Sequence, residues 1–175
     1  MRYWIVISLF LSFSGVNSAM ADLRTARIAV PDAELVGQGR LKVLFWGVFD
    51  AALYASGGSW SRDKPFALSL AYLRDLSGES IVSRSISEMR DQGMTDEAAL
   101  ARWSKGMAAI FPDVDDTTTI TGVVNEQRHA LFYRNGAHIG TIRDPEFSKH
   151  FFDIWLGEET SQPKLRTQLL GEMAS

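Results

Sequence analysis

The chain has 175 residues, a formal net charge of −3 and no cysteine. This length fits one domain, and a hydrophobic content of 46% is sufficient for an ordinary buried core. A slightly acidic chain lacks the basic surface expected of a nucleic-acid-binding protein. Without cysteine there are no disulfides and no thiolate metal ligands, so the fold has to be stabilised by packing.

The first 21 residues have the pattern of a secretory signal sequence. Arg2 precedes an apolar segment from Tyr3 to Phe13, and Ala19-Met20-Ala21 has the small-x-small form that signal peptidases cleave. The apolar segment is too short for a membrane span, which needs about 20 apolar residues. We therefore predict cleavage after Ala21, a periplasmic or secreted location, and one domain over residues 22–175. An uncleaved amphipathic leader is the alternative.

The stretch from Leu35 to Ala55 is the one around which we expect the chain to be organised. Before it, Arg24 to Val30 alternates weakly and predicts a short strand. Gly37-x-Gly39 and Arg40 then lead into a long apolar run rich in β-branched and aromatic residues. This run predicts one long bent strand, or two strands end to end, buried on at least one face. Asp50 within it marks either a bend between strand halves or a polar group in a cleft.

A clear strand and two helices follow. Phe66 to Asp75 alternates with period two, which places four large residues on one face: Phe66, Leu68, Leu70 and Tyr72. Ser77 is a candidate N-cap for a helix that ends near Gly93 and carries Val82, Ile86 and Met89 at helical spacing. Thr95-Asp96-Glu97 begins the next helix, which ends at Pro112 and has an apolar stripe of Leu100, Trp103, Met107 and Ile110.

The last third predicts three strands and two helices. The strands cover Thr117–Val124, His129–Arg134 and Ala137–Ile142. Asn135-Gly136 predicts a two-residue hairpin because both turn positions need positive φ. That turn fixes a register in which these residues face each other: Arg134 and Ala137, Tyr133 and His138, Phe132 and Ile139, Leu131 and Gly140.

Asp144-Pro145 begins a helix with a cap followed by proline at the first helical position. One face carries Phe147, Phe151, Ile154 and Trp155, which we assign to the core with cleft lining as the alternative; Lys149 and Asp153 lie outside. A short helix over Lys164–Leu170 is expected to pack loosely. This order of elements predicts an α+β fold, in which one antiparallel sheet carries helices on one face.

Several segments resemble the chalcone-isomerase-like family, and in particular its exported bacterial members. The sharpest match is GQGRLKVLFWGVFDAALYA, which contains the Gly-x-Gly step, an arginine and a small-residue run that closes with Leu53-Tyr54. The supporting matches are YLRDLSGESI, AAIFPDV, FYRNGAHIGTI and DPEFSKHFFDIWLG, in the same order along the chain. The resemblance covers roughly residues 33–170.

The resemblance implies an open-faced β-sandwich, a curved antiparallel sheet with helices on one face and an apolar cleft between them. Its plant enzymes close a flavanone ring, and its fatty-acid-binding branch grips a carboxylate with an arginine and a tyrosine. The family arginine corresponds most nearly to Arg40, which directly follows Gly39 where the family usually has one intervening residue. The family's strand hydroxyl falls on Phe49, which cannot donate a hydrogen bond, and this argues against ring-closing chemistry.

Four residues are candidate ligand contacts: Arg40, Phe49, Tyr72 and Arg74. Arg74 is in phase with the apolar face of its strand, and a guanidinium there needs a partner. That partner is either a ligand carboxylate or an acid at the strand end such as Asp75. Arg40 either lines the mouth of the cleft or is a solvated residue beside the glycine step.

No pattern indicates a metal site, a cofactor or a catalytic nucleophile. The three histidines lack ligand spacing, since His129 and His138 are about 13 Å apart along the predicted hairpin, and there is no Gly-x-Ser-x-Gly elbow. We therefore expect a non-catalytic protein that binds a small apolar or fatty-acid-like ligand. The alternatives are a structural or assembly partner with a filled cleft, and an intramolecular lyase or isomerase of the chalcone isomerase type.

Overall fold

The computed structural model describes residues 22–172. The predicted signal sequence, its cleavage point after Ala21 and the last three residues lie outside that range. Across the described residues no helix has the length and apolar character needed to cross a bilayer.

One antiparallel sheet forms the centre of the molecule, and its six strands lie side by side in chain order. The strands are β1 Ala33–Val43, β2 Trp46–Ser56, β3 Phe66–Tyr72, β4 Thr119–Val124, β5 Ala130–Arg134 and β6 Ala137–Ile142. The sheet is open and curved. Each connection between sheet neighbours is a hairpin or loop, except that two helices intervene between β3 and β4.

Within residues 22–172, four helices pack on one face of this sheet, and one further short helix precedes the first strand. Residues 22–26 are helical (α1). The four are α2 Gly78–Asp91, α3 Glu97–Ala108, α4 Pro145–Leu156 and α5 Pro163–Leu169. Their apolar sides form one buried cluster with the inner face of the sheet, which includes the predicted set of Phe66, Leu68, Leu70 and Tyr72. The predicted α+β fold with a helical layer is therefore confirmed.

The helix starts follow from capping chemistry, as the sequence predicts. Ser77 accepts a hydrogen bond from the amide of Ser80, and Asp96 accepts from the amides of Ala98 and Ala99. Asp144 caps α4 in the same way and also accepts a hydrogen bond from the indole N–H of Trp103 at 2.8 Å. The last bond ties α3 to the start of α4.

The organising stretch is a hairpin, so the prediction of one long strand or two strands end to end is wrong. Val43 pairs with Trp46, and only Leu44 and Phe45 connect the two strands. Leu44 has a φ of 57°, a left-handed conformation in which glycine or asparagine is usual. The turn was hidden because it contains none of the residues that normally mark one.

The glycine step of β1 lets α5 lie directly on the strand. A Cβ at Gly37 would be 2.1 Å from the carbonyl oxygen of Gln168 and 2.6 Å from that of Leu169. Leu165 and Leu169 are buried in this contact. The expectation that the last helix packs loosely is therefore wrong, because the glycines of β1 leave room for α5 to pack directly on the strand.

The N-terminal strand predicted over Arg24–Val30 is also wrong. Residues 22–26 are helical and a turn follows. Ala26 and Val30 are buried against Tyr54 and Tyr133 on the outer face of the sheet. The weak alternation of this segment is therefore the pattern of a short helix and turn that covers part of the second face.

The β5–β6 hairpin has the predicted turn, but its register departs from the predicted one after the first two residue pairs. Asn135 and Gly136 have φ values of 49° and 83°, as the two-residue turn requires. Phe132 faces Gly140 and not Ile139, because the register shifts by one residue after Tyr133. A Cβ at Gly140 would be 2.5 Å from the Ile110 side chain, so the shift places a glycine where that side chain lies against the sheet.

Asp153 is buried, contrary to its predicted outward position on α4. Its carboxylate pairs with Arg62 from the β2–β3 connection and with Lys149 at 3.0 Å. A buried carboxylate requires such partners. The contact with Arg62 joins distant parts of the chain, which helical periodicity alone does not reveal.

Candidate ligand-binding cavity

A cavity of about 650 Å³ lies between the inner face of the sheet and the helical layer. Apolar side chains of β2 to β5 form its floor, among them Phe49, Leu70 and Phe132. Ile81 of α2 and Trp155 of α4 lie among the residues that cover it. Its size is within the range of about 300–1,000 Å³ that is common for small-molecule sites.

Gly122 of β4 sets part of the shape of this cavity. A Cβ at this position would be 2.9 Å from the Cζ atom of Phe152, whose ring also lines the cavity. The glycine therefore allows an aromatic ring of α4 to approach the sheet closely. Phe151 and Trp155 line the cavity as well, whereas Phe147 is fully buried in the core. The aromatic face of α4 thus belongs partly to the core and partly to the cavity.

Tyr72, the last residue of β3, is a buried polar-tipped residue of the wall. It lies directly opposite Phe49 of β2, and the two rings meet edge to face with centroids 5.9 Å apart. Its hydroxyl forms no hydrogen bond with another described residue. Burial raises the pKa of Tyr72 above its usual value, so the hydroxyl is neutral and remains a hydrogen-bond donor.

Arg74 follows β3 on the same side as Tyr72 and lines the cavity while remaining exposed, which places it at the opening. Its guanidinium forms no ion pair or hydrogen bond with any residue in the described range, including Asp75. The sequence left two alternatives for the partner of Arg74, and the one in which a strand-end acid pairs with it is therefore wrong. A permanently charged, fork-shaped donor is left available at the opening.

Arg40 lies on the opposite face of the sheet from the cavity. Its neighbours Gly39 and Leu41 face the helical layer, and strand alternation therefore turns Arg40 outward. Its guanidinium pairs with the carboxylate of Asp50 through contacts of 2.5 and 2.8 Å. The placement of Arg40 at the mouth of the cleft is thus corrected. Asp50 is neither a bend nor a cleft group, because it is the cross-strand partner of Arg40.

The cavity lining also contains polar residues that the sequence interpretation did not single out. Lys42 lies near the turn of the β1–β2 hairpin, and Arg84 of α2 pairs with Glu88. Glu88 is buried and also accepts a hydrogen bond from the Ser161 hydroxyl at 3.0 Å. Helical spacing was an available signal, because Glu88 falls on the same side of α2 as Ser85 and Met89.

Three of the four predicted contact residues therefore line one cavity: Phe49, Tyr72 and Arg74. Their role in binding a ligand remains a prediction. Within residues 22–172, no three histidine, aspartate or glutamate side chains converge in a way that could hold a metal ion.

Comparison with known proteins assigns the family. The sequence matches the chalcone isomerase-like family over residues 18–171. The chain belongs to this family. An uncharacterized protein of Haemophilus influenzae is 27% identical over 134 residues, which are 74% of this chain and 65% of that protein. The chain thus spans just under two thirds of the length of that relative.

The fold has a relative among solved structures. The crystal structure of a fatty-acid binding protein from Arabidopsis thaliana superposes with a TM-score of 0.61 at 16% sequence identity. The superposition covers 82% of this chain and 90% of the plant protein. At this identity the likeness establishes a shared chalcone isomerase-like fold.

Proposed function

We propose that this member of the chalcone isomerase-like family is a non-catalytic binding protein for a small molecule with an apolar body and an anionic end, such as a fatty acid. One observation carries this proposal. The cavity of about 650 Å³ has mostly apolar walls, and two hydrogen-bond donors on it, the Tyr72 hydroxyl and the Arg74 guanidinium, have no partner among residues 22–172.

The chemistry of these groups favours a carboxylate. A guanidinium binds a carboxylate through two parallel hydrogen bonds, and a neutral phenol adds a third donor. The aromatic and aliphatic walls favour an acyl chain or another apolar body. The fatty-acid binding protein of Arabidopsis thaliana supports the same ligand class by its fold and its name. The open cavity argues against a scaffold whose cleft is filled by its own side chains.

Binding of a fluorescent fatty-acid probe tests the proposal. Tyr72→Phe and Arg74→Gln are each expected to weaken probe binding about 10- to 100-fold, since hydrogen bonds to charged groups contribute about 1.5–3 kcal/mol. Arg40→Gln is the matched control, because it removes an arginine from the other face of the sheet. Affinity should be unchanged in that variant.

Two outcomes would contradict the proposal. One is a wild-type protein that neither binds the probe nor carries a lipid mass in native mass spectrometry after gentle purification. The other is a loss in Arg40→Gln as large as the loss in Arg74→Gln, which would indicate a general charge effect and not contact in the cavity.

A catalytic role is the second candidate, and the neutral Tyr72 hydroxyl is the observation that favours it. A hydrogen-bond donor held in an apolar cavity can stabilise a developing oxyanion. A chalcone cyclisation assay at neutral pH separates the two functions. Turnover that Tyr72→Phe abolishes would support an isomerase, and the absence of turnover would leave binding as the function.

We further propose that the protein is exported to the periplasm or secreted. The support is the leader pattern of residues 1–21, in which one basic residue and a short apolar segment precede Ala19-Met20-Ala21. Expression in a bacterial host followed by intact mass measurement of the periplasmic fraction tests it. The expected chain begins at Asp22, and a full-length chain retained in the cytoplasm would contradict export.

A further inference from the structure

The tip of the β1–β2 hairpin carries four consecutive large apolar residues that the protein does not bury. Val43 is 54% exposed, Leu44 85%, Phe45 96% and Trp46 67%. Because Val43 and Trp46 are paired, these side chains project together from the narrow end of the hairpin. A contiguous exposed apolar patch of this kind marks a surface that meets another apolar phase.

The apolar character of this tip is maintained against the preference of the turn. The β5–β6 hairpin also has a two-residue turn, and it uses Asn135 and Gly136, both with positive φ, which is the usual solution. At the β1–β2 turn Leu44 adopts a φ of 57°, where a leucine side chain is disfavoured. Turn geometry therefore does not explain why this position carries leucine.

The cavity opening lies next to this tip. Lys42 and Val43 line the cavity while being exposed, as does Arg74. Neither Lys42 nor Arg74 has an ion-pair partner among the described residues. The exposed Asp75 follows Arg74. The charges of Lys42, Arg74 and Asp75 therefore sum to +1, on a chain whose net charge is −3. The apolar tip thus projects beside a locally cationic opening.

The dimensions of the tip favour a bilayer over a protein partner. An aromatic side chain offers about 150–250 Å² at most, and an aliphatic one offers less. Because Val43 and Trp46 are only 54% and 67% exposed, the four residues of the tip together offer less than the roughly 800 Å² per partner of a stable protein interface. A lipid bilayer needs no matching surface. Its headgroup region accepts tryptophan and cations, and its acyl chains accept leucine and phenylalanine.

We propose that the hairpin tip, residues 43–46, inserts into the interfacial region of an anionic lipid bilayer and brings the cavity opening against the membrane. An apolar-tailed ligand can then pass between bilayer and cavity without crossing water. The transfer of ligand depends on the proposed binding function, whereas the membrane contact does not.

Co-sedimentation with lipid vesicles tests the contact. The wild-type protein is expected to partition onto vesicles of phosphatidylcholine and phosphatidylglycerol, and Phe45→Ser is expected to lower the partition coefficient at least about tenfold. Ile28→Ser is the matched control, because Ile28 is 59% exposed and lies outside the hairpin. All variants are the same chain, so any contribution of residues 1–21 is common to them.

Two further readouts locate the inserted residues and the charge contribution. Lipids brominated on their acyl chains should quench part of the tryptophan fluorescence, and Trp46→Phe should remove the quenched part while binding is retained. Lys42→Gln or added salt should weaken binding to vesicles with phosphatidylglycerol and leave the weaker binding to pure phosphatidylcholine unchanged.

The outcomes separate this proposal from the proposed function. Phe45→Ser should bind a fluorescent fatty-acid probe in free solution as the wild type does, and Tyr72→Phe should lose the probe but keep vesicle binding. If neither the wild type nor any variant binds the probe and vesicle binding still depends on Phe45, the proposed ligand binding in the cavity fails and the membrane contact stands. The proposal is overturned if the wild type does not bind vesicles or if Phe45→Ser binds them like Ile28→Ser. A wild-type dimer in sedimentation that Phe45→Ser dissociates would assign the tip to a second copy and would also overturn it.

Discussion

The Gly-x-Gly step of β1 is predicted to be a packing requirement of α5, and Gly37→Ala should show this. The added Cβ would be 2.1 Å from the backbone oxygen of Gln168, which cannot rotate away, so α5 must move off the strand. Movement exposes part of Leu165 and Leu169, each worth about 1.5–3 kcal/mol when fully buried. Together with the overpacking strain of about 1–3 kcal/mol, we expect a loss of about 3 kcal/mol in the free energy of unfolding.

Two matched substitutions make this prediction specific. A Cβ at Gly39 would meet the side-chain oxygen of Gln168 at 2.2 Å and Leu165 Cδ1 at 2.8 Å. Both are ends of flexible side chains, so Gly39→Ala should cost only about 1 kcal/mol. Gly106→Ala, in the interior of α3 with its nearest neighbour at 3.5 Å, should be neutral or slightly stabilising because alanine favours helix.

Urea unfolding of the three variants is the assay, with the midpoint compared at constant m-value. The packing role of Gly37 is refuted if the free energy of unfolding of Gly37→Ala lies within about 0.5 kcal/mol of that of the wild type. It is also refuted if Gly37→Ala and Gly39→Ala lose the same stability, because a backbone obstacle cannot move aside as a flexible side chain can.

Three further predictions follow from the hydrogen bonds and the cavity. Asp144→Ala should lower the free energy of urea unfolding by about 2–4 kcal/mol, because it removes a helix cap and the acceptor of the Trp103 indole N–H. Asp96→Ala removes a cap alone and should cost about 1 kcal/mol. Equal losses in the two variants would contradict the role of Trp103. Burial alone would raise the pKa of Asp144, but hydrogen bonds from Trp103 and from the amides of Phe147 and Glu146 lower it. A carboxyl group whose pKa is lower in the folded state stabilises the fold at pH values above its unfolded-state pKa of about 3.9, and this contribution is lost as the pH falls through the folded-state pKa. Below about pH 4 the free energy of unfolding of the wild type should therefore fall more steeply than that of Asp144→Asn. Parallel pH curves would refute this. Finally, adding Phe49→Tyr to Tyr72→Phe should restore much of the fatty-acid probe affinity that Tyr72→Phe loses, since the two residues face each other across β2 and β3 and line the same cavity. A double variant that binds the probe no better than Tyr72→Phe would show that the position of the hydroxyl matters more than its presence.

The features that the sequence predicted correctly are those with a local physical cause. Ser77, Asp96 and Asp144 cap helices through amides two or three residues away, and Asn135-Gly136 is a turn through its own φ preferences. The inward face of β3 follows from period-two alternation. Each of these signals lies within a few residues of the feature it predicts.

The errors concern features that depend on distant contacts or on single extra residues. Val36 and Val48 are extra residues at two register shifts in the β1–β2 pair, and an inserted residue reverses which face the following side chains occupy. The outward facing of Arg40 follows only when Gly37 and Gly39 are known to face α5, which lies more than a hundred residues later in the chain. The buried position of Asp153 likewise depends on Arg62 from another part of the chain.

A hydroxyl borders the cavity on β3, one strand away from the position at which the family resemblance places it. The family resemblance places a hydroxyl at the position of Phe49, and phenylalanine has none. The residue directly across the β2–β3 ladder is Tyr72, whose ring contacts that of Phe49 and whose hydroxyl borders the same cavity. Cross-strand neighbours have Cβ atoms only about 4.5–5.5 Å apart, so the two strands can exchange a phenol and a phenyl ring with a small displacement of the donor. Arg74 follows two residues later on the same side. Both donors therefore line the cavity without a partner in the part of the chain that the structure describes, whereas Arg40 lies on the other face of the sheet.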